Sequence, residues 1–219
     1  LTTDDPAIVR YNEFREQFGR DDKIIIAVGG GDIFSLDFLE RLRDFHIAIE
    51  TEVPYITDVE SLVNARFTRG EEGGLVVGEL LEDWPETPED LALFEERVRG
   101  NPLYRNALVS GEMTMTALAV TPNTFSSESP EVDELAGFGD DSGSSDDPPV
   151  FLNAAEGDAV ISGLYAVMDR FETETFQPHM AGALPMTWRI NVGMIRDMSI
   201  FMPATVGLMC LVLGLLFRR

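Results

Sequence analysis

Lysine and cysteine are almost absent from this chain: Lys23 and Cys210 are the only ones in 219 residues. A single thiol forms no internal disulfide, and no second Cys or His stands at ligand spacing from it, so Cys210 reads as a small apolar residue. Histidine is equally sparse. His46 and His179 lie far apart and supply neither a metal pair nor a nucleophile and base set. Positive charge is scarce overall, with 16 bases against 39 acids and a net charge of -23. Such a surface repels nucleic-acid phosphates and anionic headgroups, which excludes nucleic acid as a partner. It suits a saline or extracytoplasmic setting. No signal-peptide pattern opens at Leu1, and the ends of the chain are read as those of a piece of a longer protein.

What the sequence does have is one long stretch without charge. From Met198 to Phe217 there is no charged side chain, and Arg218-Arg219 follow at once. At about 1.5 Å per residue a helix of this length spans roughly 30 Å, the hydrocarbon thickness of a bilayer. A transmembrane helix over 190–219 is expected. Trp188 lies where an interfacial aromatic anchor would sit, although an ordinary partly buried tryptophan fits the same position. Arg196 on one side and Arg218 and Arg219 on the other bracket the run. Charge therefore leaves the topology open.

Ahead of that run the pattern alternates between helix and strand. Asp4-Asp5-Pro6 starts a helix with Ile8, Tyr11, Phe14 and Phe18 at helical spacing, and Gly19 ends it. KIIIAV, residues 23–28, reads as a strand buried on both faces. Gly29-Gly30-Gly31 turns into a helix capped at Ser35, with Phe38, Leu42, Phe45 and Ile49 on one face, broken at Val53-Pro54. A strand over 56–63 and a weaker one over 75–81 follow. Thr87-Pro88-Glu89-Asp90 opens a helix with Leu91, Phe94 and Val98 inward, stopped by Gly100-Asn101-Pro102. Residues 107–110 and 113–120 read as a hairpin turning at Gly111.

Between 126 and 149 the composition turns acidic and Ser/Gly/Pro-rich without one base, the mark of a mobile loop. A helix over 153–175 and a closing strand over 179–184 complete the order. The result is one α/β (α+β) domain over 1–125 and 150–189, with 126–149 inserted in it. Two β-α-β units with interleaved strands make a ferredoxin-like, split β-α-β sandwich.

Each site-like constellation has a plainer reading. The glycine run precedes a helix N-terminus, where backbone N–H groups bind anions, but GxGxxG needs glycine at Phe34 and no Gly-Lys-Ser/Thr follows. A tight turn is favoured. Asp140-Asp141-Ser142-Gly143-Ser144-Ser145-Asp146-Asp147 lacks the twelfth-position glutamate of a calcium loop and reads as a solvated linker. Met113, Met115, Met180, Met186, Met194 and Met198 are read as packing residues in preference to soft-metal ligands, with Met113 and Met115 on one strand face. No catalytic or metal-ligating set and no cofactor site is expected. A non-enzymatic role follows.

Several segments together resemble the first extracytoplasmic loop of resistance-nodulation-division (RND) superfamily exporters with the second transmembrane helix attached. They are Tyr11-Asn12-Glu13-Phe14 to Phe18-Gly19, KIIIAV, Asp32-Ile33-Phe34-Ser35 before Leu39, and Val59-Glu60-Ser61-Leu62-Val63-Asn64. They continue with Asn101-Pro102-Leu103, Leu108-Val109-Ser110 leading to Ala117-Leu118-Ala119-Val120, Ala181-Gly182-Ala183-Leu184-Pro185, and the span after Arg196-Asp197. The likeness is nearest to predicted exporters related to the mycobacterial large membrane proteins. It implies a porter domain, outside the cytoplasm to about residue 195, that handles hydrophobic or amphiphilic, lipid-like substrates in a proton-driven multi-pass protein of the cell membrane. The implied partners are other membrane helices, a second porter loop, membrane lipid, the substrate and a second copy in a homo-oligomer. Substrate-lining residues are not identified by it. The alternative is a binding or adaptor module tethered by one C-terminal helix.

Overall fold

The computed structural model describes residues 23–71, 74–126 and 152–217, without the side chains of 69–76. The expected first helix (Asp4 to Gly19), the acidic loop 127–149 and Arg218 and Arg219 lie outside the described residues.

The elements run β1 (Ile24–Gly29), α1 (Leu36–Glu52), β2 (Ile56–Glu60), β3 (Arg66–Glu71), β4 (Gly74–Glu79), α2 (Pro88–Gly100), β5 (Thr116–Pro122), α3 (Ala154–Phe171), β6 (Gln177–Ala181) and α4 (Ala183–Leu216). Four strands form one sheet in the order β2-β5-β1-β6, and β3 pairs only with β4. Every neighbouring pair is antiparallel. The molecule is thus a mixed α/β domain on an antiparallel sheet, followed by an apolar C-terminal helix.

One face of the sheet is the core face. Ile24, Ile26 and Val28 of β1 are fully buried, and the register sets Ile24 opposite Val120 and Ile26 opposite Leu118. Against them α1 lays Leu39, Leu42, Phe45 and Ile49, and α3 lays Val160, Ile161, Leu164 and Val167. The other face is open, since Ile25 is 39% exposed. The expectation of a strand buried on both faces is therefore corrected: an unbroken apolar run hides the period-two alternation that burial reveals.

Helix starts follow their capping chemistry. Ser35 Oγ accepts from Phe38 N, and Thr87 with Asp90 and Asn153 with Glu156 form reciprocal capping boxes. The two long helices approach closely at Gly163, where an added Cβ would sit 3.1 Å from Val53 Cγ1. Phe38, Phe45, Phe171 and Phe176 close the core with ring centroids 5.2 to 5.5 Å apart.

Four expectations change. The 107–120 hairpin shrinks to one antiparallel bridge, Val109 to Thr116, flanked by bonds from Ser110 N to the Met115 carbonyl and from Ala117 N to the Leu108 carbonyl, and the chain enters left-handed backbone at Asn106 and Met113. Ser110 Oγ accepts from the amides of Thr114 and Met115, which uses those donors in a turn. Met113 and Met115 consequently precede β5 and share no strand face. β3, a polar strand over 66–71, appears where none was expected. The C-terminal helix begins at Ala183, seven residues before its expected start at 190.

Candidate functional site

The junction between domain and apolar helix is built on one glycine. Gly182 leaves β6 at φ 142°, and a Cβ there would lie 3.1 Å from the Lys23 carbonyl oxygen, so only glycine fits. α4 starts at the next residue. Its first turns dock: Pro185 is buried, Leu184 lies beside Gly157 of α3, and the Trp188 ring stands 5.4 Å from that of Tyr165. Trp188 thus belongs to the contact between α3 and α4. From Arg189 onward α4 leaves the domain, and Arg196 lies on its exposed part.

α4 is 34 residues long, and its apolar stretch is not buried by the domain at all. Phe201, Met202, Leu208, Leu215 and Leu216 are each more than 60% exposed. Isolated exposed leucines are ordinary, whereas a continuous sleeve of them in water is not. α4 is the one helix among the described residues long and apolar enough to cross a membrane. Its few polar groups are satisfied within the helix: Ser199 Oγ donates to the Arg196 carbonyl at 2.7 Å and Thr205 Oγ to that of Phe201 at 2.8 Å. Pro203 is accommodated inside the helix.

Within the domain, β2 brings together residues that the sequence keeps apart. Ser61 Oγ lies 3.0 Å from His46 Nδ1, and His46 Nε2 lies 3.4 Å from Glu50 Oε1. This Ser, His and Glu chain was not expected from the sequence, although His46 and Glu50 stand at i,i+4 on one helix. Ser61 has no exposed surface, so no substrate carbonyl reaches its oxygen in this conformation. Its hydroxyl instead accepts from Val63 N at 3.0 Å, while Ser61 N donates to Asn64 Oδ1 and Asn64 Nδ2 donates to the Val59 carbonyl. Burial holds the His46 imidazole below its ordinary pKa against the opposing pull of Glu50, Asp58 and Glu79. A neutral ring fits the chain of bonds.

The same turn walls a cleft of about 970 Å³ that includes Asp58, Glu60, Glu79 and Glu82 with Val77, Leu103 and Tyr104. Val77 and Leu103 are 62% and 78% exposed. Acidic and apolar surface therefore share one hollow.

At the glycine run the structure is plain. An added Cβ at Gly31 would lie 2.7 Å from the Thr175 carbonyl oxygen, and Gly30 has φ 99°. The adjoining hollow of about 710 Å³ is lined by Asp32, Asp37, Glu40 and Asp44 beside Arg41 and Arg170. Four carboxylates against two guanidiniums make a poor cradle for phosphate. Among the described residues no three His, Cys, Asp or Glu side chains gather as metal ligands. His179 lies on edge strand β6 opposite Ala27, away from His46.

Compared with family models, with curated proteins and with solved structures, the chain finds no match in any of the three.

Proposed function

We propose that this chain is a porter-like extracytoplasmic domain with its adjoining transmembrane helix, from an RND-type exporter that moves hydrophobic or amphiphilic molecules under a proton gradient. The observation that carries the reading is the junction: edge strand β6 passes through Gly182 alone into a helix whose first turns dock on the domain and whose remainder is bare and apolar. No flexible linker intervenes, so a tilt of α4 in the bilayer moves the sheet as a rigid body. The fold is read as ferredoxin-like. Supporting this, α1 joins β1 to β2 and α3 joins β5 to β6, with β5 between β2 and β1 and all pairs antiparallel. β3, β4 and α2 are then insertions between the two β-α-β halves.

The cleft beside Ser61 to Arg66 is the proposed place for cargo, because its exposed Val77 and Leu103 offer apolar surface in a wall of carboxylates. The domain is assigned to the outer side of the cell membrane, with further membrane helices, a second porter loop and a second copy as partners. The test uses the full-length gene product in proteoliposomes. Around a dozen spans and movement of a fluorescent lipid that depends on the proton gradient are expected. A product with one span and no gradient-dependent movement makes it a tethered binding module instead.

A further inference from the structure

Three groups cross from solvent to the interior in one line. Glu50 is 44% exposed in its side chain, His46 only 5%, and Ser61 is fully buried behind them. A carboxylate only accepts, so the His46 proton resides on Nε2 toward Glu50. Nδ1 then accepts the Ser61 hydroxyl hydrogen, and Ser61 Oγ keeps its lone pairs for Val63 N. Every donor in the chain has an acceptor.

We propose that Ser61, His46 and Glu50 form a proton-operated latch between α1 and the turn that carries the β3–β4 hairpin, so that acidification frees the turn and opens the adjoining cleft. A second proton makes Nδ1 a donor facing the Ser61 hydroxyl. Ser61 must swing its hydrogen away from the ring, into a fully buried surrounding. The imidazolium itself is charged and nearly enclosed. The charged groups facing it are Glu50 on α1, Asp58 on β2 and Glu79 on β4, all of them carboxylates, and the nearby Arg43 of α1 is stacked on Trp84 at 4.2 Å. Those carboxylates attract the charge, and entry of water removes the cost of holding it out of solvent. The strain is therefore relieved by opening the Ser61 to Asn64 turn and not by expelling the proton.

That turn is where the hairpin is fastened. The residues directly after it hold the bonds from Leu80 N to the Ala65 carbonyl and from Tyr104 Oη to the Arg66 carbonyl, both 2.7 Å. Movement of the turn changes the wall of the cleft that includes Ser61, Asn64, Ala65 and Arg66. The latch rests on the α/β domain alone and stands whether or not α4 lies in a membrane.

Amide hydrogen exchange on the full chain in detergent micelles, followed from pH 7.5 to 5.0 and referred to intrinsic exchange rates, tests this. Protection of the Ser61, Val63 and Leu80 amides is expected to fall about tenfold or more on acidification, while the β1–β5 ladder keeps its protection. His46→Asn, whose amide oxygen accepts the Ser61 hydroxyl, is expected to abolish the response. Glu50→Gln is expected to move its midpoint to lower pH. Equal loss of protection in β1 and in the hairpin, or a response unchanged in His46→Asn, overturns the latch. Where His46→Asn does not fold, an unshifted midpoint in Glu50→Gln overturns it.

Discussion

Gly31 shows how a single residue type carries two readings. A glycine run between a strand and a helix suits an anion cradle and a tight turn equally well in sequence, and only the neighbouring backbone decides. That neighbour is the Glu174 to Gln177 segment, some 145 residues downstream, whose carbonyls approach Gly30 and Gly31 at 3.0 and 2.7 Å from a hypothetical Cβ. Gly31→Ala is expected to destabilise the domain by about 1–3 kcal/mol, since backbone and not a flexible side chain must move. A urea unfolding midpoint unchanged from wild type would show that the approach is looser than described. Ser61 and His46 were illegible for the same reason: they lie 15 residues apart and meet only because β2 returns beside α1. Ser35, by contrast, was readable, because a cap bonds to an amide three residues away.

Elements whose cause is local were legible, and those whose cause is distant were not. α1, α2 and α3 begin at Ser35, Thr87 and Asn153, side chains that bond within their own first turn. β3 carries Arg-Phe-Thr-Arg-Gly-Glu, with no apolar alternation, and exists because β4 pairs with it. The 107–120 hairpin is cut short to one bridge because Thr/Met alternation resembles a strand while Ser110 Oγ takes the Thr114 and Met115 amides. Contact between α1 and α3 likewise adds a term absent from either helix alone. Arg170 donates to both carboxylate oxygens of Glu52 at 2.9 and 2.7 Å, and these bonds hold the Glu52 carboxyl below its ordinary pKa. A depressed carboxyl stabilises the fold above its unfolded pKa, and that stabilisation is lost as pH falls below about 4.5 through the folded value. Arg170→Leu is expected to lower the unfolding midpoint at pH 7, by an amount that shrinks at pH 3.5 and in high salt, because both partners are half exposed. A loss equal under all three conditions would assign the effect to packing of the arginine stem.

At the scale of the molecule, a head with strongly negative charge and a bare apolar tail ask for different solvents, and α4 joins them without a break. The tail was legible because twenty charge-free residues need no tertiary context; the place where the helix starts was not, since Gly182 and the Trp188 contact with Tyr165 depend on the sheet edge. The single cysteine gives a direct probe of where the tail resides. Cys210 lies twelve residues past Met198, about 18 Å along the helix axis, and seven short of Phe217, about 10 Å, so a span beginning at Met198 sets it inside hydrocarbon from both ends. A charged reagent does not enter hydrocarbon, where an ion is poorly solvated. In intact membranes Cys210 is therefore expected to resist a charged maleimide and to react only after the bilayer is dissolved and the chain unfolded. Met186→Cys in a Cys210→Ala background, on the exposed and docked part of α4, is expected to react at once and shows that the reagent is active. If Cys210 is labelled as fast as that control, water reaches the apolar sleeve and α4 does not lie in lipid.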